Sequence, residues 1–409
     1  MRINFLLWAL IWLILKSPKM SNMAKTSQKP LKIFVIAGET SGDQLGAGVL
    51  AALKAQYRGA VAFEGVGGSL MEEQGLQSLF PMDDLSVMGI FEILPRLPKL
   101  LRRIDQTVQA IIKSQPDIVI TIDSPDFCFR VVAALQKKMT PLPRLFHYVA
   151  PTVWAWRAER AKKVAALYDG IICLYPFEPD YFIRENMRAC FVGHPVISLK
   201  KQIDENRSSS EIEGKKLTVG FLPGSRQGEI KKVGPVLLDS LKTLYQKHPH
   251  IHVKCLTLPH RAAQIEALMS GYDGSFDIVC GKDDKARAFA AMDIAVATSG
   301  TIGLELSVAD IPHVIGYKMN GLTWALISKR LTTKYAHLTN ILLNKPAVPE
   351  FIQHDCEADK ITNALMHLVE SENARHAQKQ SFQDARALLT GQGDKTPSVQ
   401  AADFILADF

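Results

Sequence analysis

The stretch Ala297-Thr298-Ser299-Gly300-Thr301-Ile302-Gly303-Leu304-Glu305 decides how this chain is read. An apolar strand, Ile294 to Ala297, empties into a small polar turn, and a helix follows directly. Such a turn aims unpaired backbone N–H groups and the positive end of a helix at whatever lies above the strand, which suits a phosphate. Glu305, about one turn into the helix, stands where a ribose diol can donate hydrogen bonds to it. A second turn of this kind, Leu222-Pro223-Gly224-Ser225-Arg226, precedes it in the same half of the chain. Together the turns predict a nucleotide diphosphate site built from Gly224, Ser225, Ser299, Gly300, Thr301 and Glu305. Arg226 adds a permanent cation, placed to neutralise a diphosphate leaving group.

Outward from these turns, apolar strands alternate with amphipathic helices from Leu31 on, the pattern of parallel α/β layers. Strands are predicted at Lys32–Ala37, Ala62–Val66, Ile118–Ile122, Arg144–Val149, Gly170–Leu174 and Ala189–Val192. The polar stretch from Lys200 to Lys216, with three consecutive serines, reads as a linker. The alternation restarts at Leu217–Leu222, His252–Leu256, Phe276–Cys280, Ile294–Ala297 and His313–Gly316. The expected architecture is α/β: two Rossmann-like domains facing each other across a cleft, with C-terminal helices. The boundaries expected are an extension at 1–30, a first domain at 31–199, a linker at 200–216, a second domain at 217–357 and helices at 358–409. Ligands of such sheets sit beyond the carboxyl ends of the strands.

At 409 residues the chain is long enough for two cores, and 47% hydrophobic with 22% charged residues is ordinary globular composition. A net charge of +7 fits an anionic partner, either a nucleotide or an anionic membrane surface. Nucleic acid is not expected, because aromatic and basic residues are not interleaved. Six scattered cysteines without a C-x-x-C pair imply neither a disulfide framework nor a zinc site, and fit a reduced, cytoplasmic setting. Ile3 to Leu15 is a 13-residue apolar run, short of the roughly 20 needed to span a bilayer. It fits a start upstream of Met20 or Met23, a membrane-surface segment, or an export signal; the lack of a small-x-small cleavage site argues against the last.

In the first half, the strand ending at Ala37 runs into Gly38-Glu39-Thr40-Ser41-Gly42-Asp43. Gly38, Ser41 and Gly42 are expected to line the cleft, since glycine lets a backbone approach a ligand closely. The spacing is not G-x-G-x-x-G, and no Tyr-x-x-x-Lys occurs, so a dehydrogenase is disfavoured. Asp123, in Ile122-Asp123-Ser124-Pro125-Asp126-Phe127, ends an apolar strand, where a carboxylate is costly unless hydrogen-bonded or at work. Beside a sugar alcohol it would take the proton as the oxygen attacks. Asp126 either caps the next helix or lines the acceptor side. The i, i+3 spacing is not the Asp-x-Asp of metal-dependent sugar transfer, and no metal or cofactor is expected. His248, His250 and His252 read as a solvated turn, and Trp154 and Trp156 as packing residues. The segment 87–103 mixes apolar residues with cations, as an interfacial helix does. Ile90, Phe91, Leu97, Arg96, Lys99, Arg102 and Arg103 are its expected membrane contacts; an ordinary half-buried helix is the alternative.

The chain resembles the lipid-A-disaccharide synthases, inverting glycosyltransferases of the two-Rossmann (GT-B) type. The likeness runs from about Leu31 to the C-terminal helices. It rests on Ala37 to Asp43, Val87-Met88-Gly89-Ile90, Ile122 to Phe127, His147-Tyr148-Val149-Ala150-Pro151, Val153-Trp154-Ala155-Trp156-Arg157 and Pro176-Phe177-Glu178. Gly193-His194-Pro195, Leu222 to Arg226, Ser299-Gly300-Thr301 with Glu305, and Gly316-Tyr317-Lys318 complete it. The resemblance implies UDP-2,3-diacylglucosamine as donor, 2,3-diacylglucosamine 1-phosphate as acceptor, and work at the cytoplasmic face of the inner membrane of Gram-negative bacteria. It implies Asp123 as base, Arg226 and the Ser299–Thr301 N–H groups at the departing UDP, Glu305 on the ribose and Gln353 near the donor. Thr339 stands where the family usually has proline. A UDP-sugar 2-epimerase and a nucleotide-sugar-binding protein without turnover remain the rival readings. The sequence leaves the oligomeric state open, a homo-oligomer included.

Overall fold

The computed structural model describes residues 29–85, 90–156, 158–207, 216–281, 284–321, 324–325, 328–391, 393–407 and 409, without the side chains of 90–96, 156 and 330. The apolar run at 3–15 and the expected contacts Ile90, Phe91 and Arg96 therefore lie outside the described residues or side chains.

Seven strands form the first sheet: β1 (Leu31–Ala37), β2 (Val61–Val66), β3 (Gln77–Ser78), β4 (Ile118–Ile122), β5 (Arg144–Tyr148), β6 (Gly170–Cys173) and β7 (Arg188–Phe191). Their order is β3-β2-β1-β4-β5-β6-β7, and the described pairs are parallel. Six strands form the second: β8 (Thr218–Leu222), β9 (His252–Thr257), β10 (Ser275–Cys280), β11 (Ile294–Thr298), β12 (His313–Tyr317) and β13 (Glu350–Ile352). They run β10-β9-β8-β11-β12-β13, again parallel. In both sheets the winding reverses between the first and fourth strands, at β1/β4 and at β8/β11. Those switch points are where a doubly wound sheet opens a crevice for ligand.

The central strands β4, β8 and β11 are buried along their whole length, as expected where helices cover both faces. The eleven strands expected from the pattern are all present within a residue or two. The short edge strands β3 and β13 are additions.

Two features differ from the expected layout. Residues 198–207 form a helix, not a polar linker, and its Ile203 is fully buried in the second core. The C-terminal helices also divide between the two units. Ala358–Glu370 sends Ile361, Leu365 and Leu368 into the second core. Pro397–Leu406 packs against Thr40–Gln56 of the first unit, burying Ala401, Ala402 and Ile405 in the first core. Gln56 Nε2 donates to Val399 O at 3.1 Å, and a Cβ on Gly48 would lie 2.3 Å from Ser398 Oγ.

The two units also touch directly. Thr332 N–H donates to Ala155 O at 2.9 Å and its hydroxyl to Trp154 O at 2.5 Å. Leu304 and Val308, from helix Thr301–Val308 after β11, join the apolar cluster of the first sheet.

The segment Ile90–Ser114 is one helix. Leu97 and Leu101 are exposed on it, whereas Lys99 and Arg103 both pair with Asp84, the latter at 2.6 Å, and Arg103 lies over the Phe80 ring at 4.3 Å. Arg103, expected at a membrane, is thus bound into the fold. Among the described residues no helix is long and apolar enough to cross a membrane.

Candidate active site

In the first unit the site grows out of the β1 and β4 ends. Two consecutive residues after β4, Asp123 (φ 53°) and Ser124 (φ 44°), adopt the left-handed conformation that non-glycine residues rarely take. The turn is held by Asp123 N–H donating to Tyr148 O at 2.9 Å and Ser124 N–H donating to Asp123 Oδ1 at 2.9 Å. Opposite it, a Cβ on Gly38 would stand 2.2 Å from Ser124 Oγ and 2.9 Å from Ser124 Cβ. Gly38 is therefore what lets the β1 turn close on the β4 turn.

Burial raises the Asp123 carboxyl above its ordinary pKa of 3.8, opposed by the Ser124 N–H. Glu39 is raised as well, by burial first and then by the charge of Asp123, while Arg226 of the second unit pulls it back. Glu39 thus lies near enough to Asp123 and to Arg226 of the second unit for both charges to act on it. Sequence reasoning passed over it, although it lies inside the Gly38–Asp43 turn.

The other first-unit candidates are less central. Gly42 is buried, Ser41 is exposed, and Asp126 is exposed in the first turn of helix Pro125–Lys138, 3.8 Å from Arg160. Ser124, not Asp126, holds the N-cap position. Asp43 is structural: its carboxylate accepts from the N–H groups of Gly68, Leu70 and Met71 at 2.9 to 3.1 Å. Trp154 is a packing residue whose Nε1 donates to Glu178 Oε1 at 3.1 Å; burial pushes that carboxyl up to about 7.

In the second unit, β8 leads into Gly224 (φ 122°), where a Cβ would lie 2.9 Å from Glu229 Cβ and 3.4 Å from Thr298 Cγ2. Arg226 opens helix Gln227–Lys247, its guanidinium donating to Glu229 Oε1 at 2.8 Å. Ser225 and Arg226 stay exposed. Behind β11, Gly300 caps helix Thr301–Val308, and Ser299 Oγ donates to Ala336 O at 3.1 Å. Glu305 sits on that helix with Oε2 2.5 Å from Lys285 Nζ.

The back of the donor turn is braced by a buried polar chain. A Cβ on Gly303 would stand 2.5 Å from His337 Nε2, and His313 Nε2 meets His337 Nε2 at 2.9 Å. Thr339 N–H donates to His337 Nδ1 at 3.1 Å, so that nitrogen carries no proton and Nε2 does. His313 donates from Nδ1 to Ile311 O at 2.7 Å and accepts at Nε2. Burial depresses both imidazoles, His313 to about 4, and the pair is neutral. Gln353 (φ 55°) follows β13, its buried Nε2 without a protein partner among the described residues. His252, expected in a solvated turn, is instead the first residue of β9 and pairs with Asp277 at 2.9 Å.

Two Rossmann-like units, each a doubly wound parallel sheet with its switch point at the carboxyl ends of the strands, define the GT-B fold class. Fold comparison agrees. A UDP-N-acetylglucosamine 2-epimerase from Rickettsia bellii matches at TM-score 0.59 and 15% identity, covering 92% of this chain and 96% of its own. MurG from Acinetobacter baumannii matches at 0.53 and 13%, covering 93% and 100%. At such identities the likeness concerns the fold alone.

The sequence comparisons choose within it. Residues 33–404 match the family model described as lipid-A-disaccharide synthetase. Lipid-A-disaccharide synthase of Rhodospirillum centenum is 43% identical over 381 residues, covering 92% of this chain and 94% of that protein. The Ruegeria pomeroyi enzyme of the same name is 38% identical over 396 residues, covering 92% and 95%. The chain belongs to the lipid-A-disaccharide synthetase family, and is a glycosyltransferase.

Proposed function

We propose that this chain transfers 2,3-diacylglucosamine from UDP to the 6-hydroxyl of 2,3-diacylglucosamine 1-phosphate, giving a β-1,6-linked disaccharide 1-phosphate and UDP. The observation that carries this is the family match over residues 33–404, with Asp123 following β4 in one unit and Arg226 following β8 in the other. A base on one wall and a cation on the other are what an in-line displacement requires.

In this reading the unit 31–199 takes the acceptor and the unit 217–357 the donor. Asp123 removes the proton from the acceptor's 6-hydroxyl as that oxygen bonds the anomeric carbon from the face opposite the leaving group. The bond from the anomeric carbon to the β-phosphate oxygen breaks, and the configuration inverts. Raising Asp123 above the ordinary carboxylate range makes it a stronger base. Charge builds on the departing diphosphate, where Arg226, the Gly224–Ser225 turn and the N–H groups of Ser299, Gly300 and Thr301 stabilise it. Glu305 accepts from the ribose hydroxyls, and Gln353, whose amide nitrogen has no protein partner among the described residues, lies near the donor. Both substrates carry acyl chains, so the enzyme works at the cytoplasmic face of the inner membrane. The exposed Leu97 and Leu101 with Arg102 form the surface that meets it.

The test is incubation of the purified protein with both substrates and EDTA, following UDP and disaccharide by mass spectrometry. Equal amounts of the two products are expected, with almost none from Asp123→Asn. UDP release without disaccharide, or no turnover in any detergent or lipid, would overturn the proposal.

A further inference from the structure

We propose that Lys285 is a positioning residue of the donor site: its ammonium holds the Glu305 carboxylate in the orientation that receives the ribose. The proposal rests on the reading of Glu305 as the ribose partner and adds to it the group that orients that carboxylate.

Lys285 opens helix Lys285–Ala291, which links the edge strand β10 to β11. Glu305 lies on the following helix, so two successive crossovers meet at the carboxyl edge of the sheet. Lys285 Nζ stands 2.5 Å from Glu305 Oε2, and the two side chains are only 28% and 20% exposed. Such a pair differs from a fully solvated surface ion pair, whose partners wander and contribute little. The lysine is held from below too, its Nζ 5.8 Å from the centroid of the fully buried Phe289 ring.

Local helix energetics do not explain this placement. A cation at a helix N-terminus opposes the macrodipole and is mildly unfavourable there. What the position provides is reach to Glu305. A carboxylate has about four acceptor positions, so it can serve an ammonium and a diol together. With Oε2 held by Lys285, Oε1 has no partner among the described residues and remains for the sugar. Without Lys285, the carboxylate would rotate about its side-chain torsions, and part of the ribose contact would be lost as ordering entropy.

The expected signature is selective: Lys285 matters for the ribose hydroxyls and not for the diphosphate. The test measures binding of UDP and 2′-deoxy-UDP by calorimetry to the full-length protein and to Lys285→Met, Lys285→Arg and Glu305→Gln. Wild type should favour UDP by about tenfold or more, the size of a lost hydrogen bond to a charged acceptor. Lys285→Met should narrow the preference to about threefold or less, chiefly by weakening UDP, and Lys285→Arg should restore it. Equal weakening of both nucleotides by Lys285→Met would overturn the proposal, placing the ammonium on the diphosphate or in packing alone. An unchanged preference would overturn it too. Glu305→Gln should also lose the preference; if wild type shows none, or Glu305→Gln keeps the wild-type preference, the ribose reading of Glu305 itself falls, and the role of Lys285 with it.

Discussion

At the scale of the residue, Asp123 combines two unfavourable circumstances, a left-handed backbone and a half-buried charge. Both point to a site where stability has been exchanged for chemistry. Its folded pKa lies above the unfolded value, so the folded state holds the proton more tightly. The neutral form is the stabilised one, and stability is lost as pH rises from the ordinary carboxylate pKa through the raised one. Asparagine keeps a side-chain oxygen for the Ser124 N–H and tolerates positive φ well. Asp123→Asn is therefore expected to melt roughly 1–3 °C higher than wild type at neutral pH, a gain that vanishes in acid. The same substitution should lower the transfer rate by about 10²–10⁴-fold. Thermal scans at pH 3.5 and pH 7.5 beside a rate assay check both; a variant that is inactive and less stable at neutral pH contradicts the account. With Asp123 as the proposed base, its carboxyl has to be ionised to act, and the acid limb of kcat/KM should have its midpoint above 3.8.

At the scale of the element, the meeting of the β1 and β4 turns depends on one missing side chain. Gly38→Ala would drive a methyl to within 2.2 Å of Ser124 Oγ and is expected to destabilise by about 1–3 kcal/mol. Removing the obstacle should reverse this. Ser124→Gly eliminates both close atoms and relaxes the φ 44° strain, so the double variant should recover most of the lost stability. Denaturant melts of the two single variants and the double variant measure the coupling, and simple additivity would show that the two turns do not press on each other.

This scale also shows what the sequence makes legible. Strands β4, β8 and β11 are buried on both faces, which gives nearly continuous apolar runs, broken by a threonine in each and by Gly220 in β8, that are legible in the sequence. The donor turn follows from strand, small polar residues and helix in direct succession. Strands β3 and β13 escape notice because two or three residues carry no period of their own and are strands only through their neighbours. Ser198–Arg207 escapes because one buried residue, Ile203, anchors an otherwise polar helix. Glu39 and Lys285 carry ordinary surface-type sequence signals; only tertiary structure brings the first to Asp123 and the second to Glu305. The His313–His337 brace is hidden for the same reason, its partners lying 24 residues apart.

At the scale of the whole molecule, each sheet has its own core, and the two are bridged by Leu304 and Val308, by short polar contacts and by one long return. The helix Pro397–Leu406 buries Ala401, Ala402 and Ile405 against the first unit, with Phe404 edge-on to Phe146 at 5.9 Å and beneath Arg188 at 5.0 Å. Deleting residues 397–409 should cost about 3–6 kcal/mol, mostly in the first unit, although the cut lies at the other end of the chain. Hydrogen exchange would place the loss: faster exchange in Thr40–Gln56 is expected, and faster exchange confined to the second sheet would refute it.

That return has a consequence for how the protein is made. A ribosome delivers the first unit early and its covering helix last. Through the synthesis of the entire second half, the face of Thr40–Gln56 stands open, an apolar surface for a chaperone to shield. The first unit reaches its finished form only after the second sheet has been made. A tag or fluorophore placed at Phe409 would accordingly report on the first unit, not on the half that precedes it in sequence.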